Sequence, residues 1–370
     1  MDSNENKIPR GKVLVTGGSG HVGANVVHAL LDEGQDVRCL VQPGVDDRAF
    51  EGLPVERVEG DIRDYDAMVR ATRGCARVFH VAAKVSTLNA SAGEQRDLYE
   101  INVIGTRNVL RASMESGVAR AVVTGSFSAT GYDPDDPSRP SHEAMPFYPF
   151  GAVMPYARTK ALAEHETLKC VVDGFDAVIT TSCACIGPWD YVPSRMGRTM
   201  VDYTHGKLRA YIPGGFDFVN ARDIARGHLL AMERGRRGQK YIISTSFHTL
   251  DDLVQMFSEV SGLPPVRLKV PPQVMASITG LYAGSLAKVF PKLPQRLTPG
   301  AIGVLRMRRH ADTSKAQAEL GYQPGNIRDA VRDAMVFFAR EGKLPDAVRE
   351  HVLSHHADAA DAAARPLAAQ

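Results

Sequence analysis

The sequence predicts an α/β protein, a doubly wound parallel sheet joined to a smaller, partly discontinuous C-terminal lobe. Three observations carry this. Short apolar runs alternate with amphipathic helical stretches through the first half of the 370 residues. A glycine-rich turn sits between the first run and the first helical stretch. Beyond Thr181 the chain becomes richer in proline and irregular segments, notably 187–193 and 263–272.

The elements follow in order. Residues 12–16 read as a strand, and Val22, Val26, Val27, Leu30 and Leu31 give the next helix its apolar face. Strands are expected over 36–41, 55–59, 77–81, 119–124 and 177–181. A long helix is expected over 94–116 and another over 155–172. Residues 240–244 read as one more strand, and Thr249 to Asp252 as a capped helix start. The cofactor domain is thus placed at 11–181 with 216–245 returning to it. The substrate lobe is placed at 182–215 and 246–310, and the tails 1–10 and 355–370 are expected to be flexible. Residues 271–290 are apolar, with Lys288 their one charge; they read as a substrate-covering helix rather than a membrane-surface one, which carries a basic face.

Composition excludes several classes. Lys plus Arg is 44 and Asp plus Glu is 42, a net charge of +2, which argues against a nucleic-acid partner. No run of 18 apolar residues exists, so no spanning membrane segment is expected. The first ten residues lack the apolar core of a signal peptide. Five cysteines, few and odd in number, point to a reducing, cytoplasmic location. Cys183 and Cys185 form the one close pair, and without two further ligands at zinc spacing no metal is expected.

Thr16-Gly17-Gly18-Ser19-Gly20-His21-Val22-Gly23 lies between the first strand and helix. Gly17 allows the tight turn, Gly20 lets the backbone approach a pyrophosphate, and Gly23 lets the helix pack on the sheet, the Rossmann arrangement for a dinucleotide. The end of the second strand, where a carboxylate would select NAD(H), reads Val41-Gln42. With no carboxylate to repel a phosphate and Arg48 close enough to swing in, the reading leans to NADP(H) over NAD(H). Asp61 and Ile62 follow the third strand, where a side chain reaches toward the adenine.

Tyr156 and Lys160 stand four residues apart on one helix face. A cation near a phenol favours the phenolate, and such a tyrosine can donate a proton to a carbonyl oxygen as hydride arrives. Ser126, just past the fifth strand, is placed to hydrogen-bond that oxygen, with Thr124 and Ser128 as competing hydroxyls.

Taken together, these segments make the chain resemble the extended short-chain dehydrogenase/reductase family. The marks are the glycine loop, G-D-I at 60–62, H-V-A-A at 80–83, N-V-I-G-T at 102–106, the Ser126 segment, Y-A-R-T-K at 156–160 and I-G-P at 186–188. Segment spacing after Tyr156 is similar to the hopanoid-associated sugar epimerase, 3β-hydroxysteroid dehydrogenase and dihydroflavonol reductase branches. The resemblance implies catalysis by Ser126, Tyr156 and Lys160. It implies cofactor contacts from Thr16, Gly17, Gly20, His21, Val22, Gly23, Gln42, Arg48, Asp61, Ile62, Ala82, Ala83, Lys84 and Cys183 beside Tyr156 and Lys160. It also implies a structural or relay role for Asn102 and a homodimer formed through the helices over 94–116 and 155–172.

Two departures bear on chemistry. Ser182 stands where many members have proline, and Phe216 stands where nucleotide-sugar members have a diphosphate-binding arginine. An apolar ketone or alcohol therefore fits better, with Lys84, Ser86, Ser126, Tyr191 and Phe216 touching substrate and Trp189, Phe218 and the 275–286 segment as further walls. The alternative is a nucleotide-sugar epimerase or dehydratase with tightly held NAD. It is weakened by Phe216 and by Phe127-Ser128 where a dehydratase carries an acidic pair. A catalytically silent cofactor sensor would lack the Tyr and Lys pair.

Overall fold

The structure is a computed structural model that describes residues 9–86, 91–133, 135–136, 138–146, 154–271, 305 and 307–363. The first half runs β1 (Val13–Thr16), α1 (His21–Asp32), β2 (Val37–Val41), β3 (Glu56–Glu59), α2 (Tyr65–Thr72), β4 (Arg77–His80), α3 (Ala92–Tyr99), α4 (Gly105–Glu115), β5 (Arg120–Ser126), α5 (Pro155–Val172) and β6 (Ala177–Ser182). The second half adds β7 (Ala184–Ile186), α6 (Arg195–Thr204), β8 (Ala210–Tyr211), β9 (Gly215–Asn220), α7 (Ala221–Arg234), β10 (Lys240–Ile243), β11 (Ser246–Thr249), α8 (Leu250–Ser261) and β12 (Leu268–Lys269). It closes with α9 (Ser314–Leu320), α10 (Ile327–Arg340) and α11 (Asp346–Ala363).

Seven parallel strands form the main sheet in the order β10-β6-β5-β4-β1-β2-β3. The order reverses between β1 and β4, the switch point beyond whose strand ends doubly wound sheets bind their ligands. Alternation along β1 explains the two layers: successive side chains leave opposite faces. Val13 and Val15 join a cluster with Val26, Leu30 and Leu229 on the α1 and α7 side, while Leu14 joins Met68, Leu110 and Cys170 on the α2, α4 and α5 side. Each such fully buried aliphatic contributes about 1.5–3 kcal/mol.

A second, three-stranded sheet, β11-β9-β7, carries the other lobe, packed through Phe218, Phe257 and Phe338 against α8 and α10. Several expectations need correcting here. β9 belongs to this small sheet, so the return to the main sheet is made by α7 and β10 and starts at 221 rather than 216. The 355–370 tail is helical as far as Ala363: Val352 and Ala360 are buried in the second core, and Arg340 pairs with Asp361 at 2.8 Å. The long helix expected over 94–116 is two helices joined by a π turn, Glu100–Ile104, with its start set by a Ser91–Glu94 capping box. Beyond Pro271, the segment read as a substrate-covering helix lies outside the described residues. Among the described residues no helix is long and apolar enough to cross a membrane.

Candidate active site

Gly17 has φ 74°, and a Cβ there would meet the Ala82 backbone at 2.6 Å. A Cβ on Gly23 would sit 2.0 Å from the Gly17 carbonyl oxygen. The loop is therefore closed to side chains. α1 begins at Gly20 with no side-chain cap and no acidic residue in its first turn, which leaves its positive end to an anion. This cradle fits a dinucleotide pyrophosphate. Behind it, His21 Nε2 donates to Gly187 O (3.2 Å) and Asn25 Nδ2 to Pro188 O (2.9 Å), fixing the turn after β7 to α1.

The ribose end differs from its sequence reading. β2 and β3 pair with Val41 opposite Glu59, which brings Asp61 back to the end of β2, where Gln42 Nε2 donates to its carboxylate at 3.1 Å. Arg63 clasps the same carboxylate at 2.6 Å and holds its pKa below the usual range. A carboxylate is thus present where the sequence suggested none. Arg48 Nη2 lies 2.7 Å from Asp46 in an exposed pair.

Ser126 is the last residue of β5 rather than a loop residue, opposite Ser182 on β6. Its Oγ lies 2.8 Å from Ser128 Oγ and accepts from the Ser128 N–H (3.3 Å), so Ser128 supports it. Thr124 turns the other way: His228 Nδ1 donates to Ile224 O (2.7 Å), and its Nε2 accepts from the Thr124 and Thr180 hydroxyls at 2.7 and 2.9 Å. Burial holds that ring neutral, with its pKa lowered to about 4.

α5 starts with Pro155 at its first position, which suits the ring's fixed φ. Its first turn carries Tyr156 beside Ser126, whose side chain pulls the phenol pKa down. One turn on, Lys160 is buried and its Nζ donates to Thr124 O at 2.5 Å. The Tyr156 ring keeps some exposure, but its hydroxyl end is enclosed, and burial raises the phenol pKa despite Ser126 pulling it down. Burial lowers Lys160 to about 8, opposed by Glu164. Against the lowering expected from Lys160, desolvation dominates the phenol and raises its pKa.

The remaining assigned residues are scattered. Lys84 Nζ pairs with Asp97 at 2.9 Å, while its backbone is held by Asn102 at 2.8 and 3.0 Å. Ala82, Ala83 and Ser86, all half-buried, follow β4 at the switch point. Ile62 is buried against α4, where a Cβ on Gly105 would meet its Cδ1 at 2.5 Å. The Cys183 thiol is enclosed near Asp217, and burial pushes its pKa up. Phe216 leans on Phe218 at 4.4 Å and packs with Ile212 and Leu305, an apolar patch in the lobe. The Tyr191 ring meets Phe337 edge-on at 5.0 Å. Trp189 stacks on His28 at 3.9 Å, under Arg222, on the α1 side.

Sequence reasoning missed Arg309. It is buried, donates to Thr130 O and Gly131 O at 2.9 Å and Ser141 Oγ at 3.0 Å, and lies 4.5 Å from the Phe127 ring. It therefore braces the segment that follows Ser126. No periodicity marks it, because its partners lie about 170 residues earlier. Among the described residues no cluster could hold a metal, and the five cysteines are free.

The profile of the NAD dependent epimerase/dehydratase family matches residues 13–244. The chain is 38% identical over 331 residues to sterol demethylase protein B of Methylococcus capsulatus, covering 90% of this chain and 99% of that one. It is 32% identical over 336 residues to a putative dihydroflavonol 4-reductase of Synechocystis, covering 89% and 95%. The crystal structure of gox2253 superposes with a TM-score of 0.78 at 31% identity, covering 91% of this chain and all of that one. This protein therefore belongs to the NAD-dependent epimerase/dehydratase family, the extended short-chain dehydrogenases/reductases, and is an enzyme of their NAD(P)-dependent oxidoreductase type.

Proposed function

We propose that the enzyme reduces a ketone with NAD(P)H, or oxidises the corresponding alcohol in reverse, on an apolar, sterol-, terpenoid- or polyketide-like small molecule. The observation that carries this is Tyr156 set beside Ser126, whose side chain lowers the phenol pKa, with Lys160 one turn along the same helix. Nicotinamide supplies the hydride when bound. Ser126 orients the substrate oxygen by hydrogen bonding, and Tyr156 Oη delivers the proton that completes the alcohol. Lys160 contributes positive charge beside the phenol and a donor for the nicotinamide ribose.

The apolar substrate class is supported by the name of the sterol demethylase relative and by Phe216, which offers no charge to a diphosphate. Lys84 and Ser86 follow β4 at the switch point. For the cofactor, the Asp61 carboxylate at Gln42 favours NAD(H), whose ribose carries a free hydroxyl, over NADP(H). We further infer a homodimer through α4 and α5, where Leu168 and Val172 stand exposed, and a cytoplasmic location, in keeping with the free cysteines.

Following NADH and NADPH oxidation with a panel of hydrophobic ketones tests this reading. Turnover of sterol-like ketones is expected. Turnover confined to nucleotide sugars, with NAD retained through purification, would replace it with the epimerase reading.

A further inference from the structure

One buried imidazole takes no part in the chemistry above. His80 ends β4, opposite Thr16 at the end of β1, and is 2% exposed. Its Nδ1 lies 2.8 Å from Thr16 Oγ1 and its Nε2 lies 2.9 Å from Thr106 Oγ1. Counting hydrogens fixes the direction of each bond. The Thr106 hydroxyl donates its single hydrogen to Asn102 O at 2.6 Å, so toward His80 it only accepts, and Nε2 carries the ring hydrogen. Burial and the nearby Lys160 charge keep the ring neutral, lowered to about 3. Nδ1 is therefore bare and accepts from the Thr16 hydroxyl. Thr16 Oγ1 accepts in turn from the Ala82 N–H at 3.4 Å.

The chain continues on the far side. Asn102 sits in the π turn, a helical irregularity often found at functional sites. Its Nδ2 donates to Thr159 Oγ1 (3.0 Å), and Thr159 donates to Tyr156 O (2.9 Å). A directed series of contacts thus runs from the residue before Gly17 to the residue before Lys160.

We propose that His80 is a positioning residue that sets the phosphate loop in register with the catalytic helix, through Thr16 on one side and Thr106, Asn102 and Thr159 on the other. The catalytic half of this inference rests on the proposed hydride-transfer reading; the cofactor half does not.

Two amide substitutions in the full-length enzyme separate the halves. His80→Asn puts its amide where Nδ1 lies, keeping a partner for Thr16 but falling short of Thr106. His80→Gln reaches Thr106 and leaves Thr16. Cofactor Kd is read by NADH and NADPH fluorescence titration, and kcat with a hydrophobic ketone at saturating cofactor. H80Q should raise cofactor Kd on the order of tenfold with kcat within about twofold; H80N should do the reverse. Equal changes in both quantities for both variants, or a change in melting temperature alone, would overturn the proposal. If the wild type turns over no ketone, the functional reading fails, and equal cofactor Kd for H80N and H80Q would then overturn this one separately. Should either variant not fold, Thr106→Val is expected to lower kcat on the order of tenfold and Thr106→Ser to restore it; equal kcat for the two would count against the proposal.

Discussion

Lys160 Nζ donates to the backbone carbonyl of Thr124 across 2.5 Å, two residues before Ser126 on the same strand. The ammonium is thereby anchored to the element that carries the serine. Helix and strand can shift relative to one another only by breaking a charge-assisted bond in a buried place.

That anchoring has a stability consequence. Burial lowers the Lys160 pKa from 10.5 to about 8, so between those values the unfolded chain binds more protons than the native one, and stability rises with pH. Denaturant midpoints of wild type and Lys160→Met, compared from pH 8 to 10, should diverge in favour of wild type by about 2 kcal/mol. Parallel curves would show that the ammonium is not desolvated.

His228 gives the same sign in a lower window. Its pKa is lowered to about 4, so stability from this residue is full above 6.5 and is lost as pH falls toward 4. His228→Gln should be less stable at pH 7, because Thr124 and Thr180 lose a shared acceptor. Its stability should fall less steeply on acidification, the two curves approaching by up to about 3 kcal/mol between pH 6.5 and 4. Chemical denaturation at four pH values measures this.

The glycine cradle tolerates no added carbon. In Gly23→Ala the new methyl would start 2.0 Å from Gly17 O, and backbone must move to admit it. The variant should lose about 1–3 kcal/mol of stability. Its cofactor Kd should rise at least about tenfold, since the amide groups that hold the pyrophosphate move with the backbone. Calorimetric titration with NADH reads the loss.

Cofactor choice should follow the Asp61 carboxylate at Gln42. Asp61→Asn removes the negative charge while keeping the shape, and the ratio of NADPH to NADH affinity should rise roughly tenfold. An unchanged ratio would show that this carboxylate does not face the ribose.

The reading of β1, the glycine loop and α1 succeeded because strand, turn and helix signals are contiguous there. Pro155 likewise marks the start of α5 within the sequence itself. What escaped depends on pairing across distance. Asp61 reaches Gln42 only through the β2–β3 register. The close packing at Gly105, just after the π turn, is against Ile62, more than 40 residues earlier, where a Cβ would meet its side chain at 2.5 Å. α11 is alanine-rich and buries few large side chains, so its helical periodicity is faint even though Val352 is fully covered. The raised Tyr156 pKa follows from enclosure, which spacing alone does not reveal.

The phenol carries the central claim. In Tyr156→Phe the ring stays beside Ser126 but no proton donor remains at the reacting oxygen. Steady-state turnover of a hydrophobic ketone should fall by about 10²- to 10⁴-fold while NADH affinity stays within about twofold. Turnover retained at the wild-type rate would contradict the assignment of Tyr156 as the proton donor.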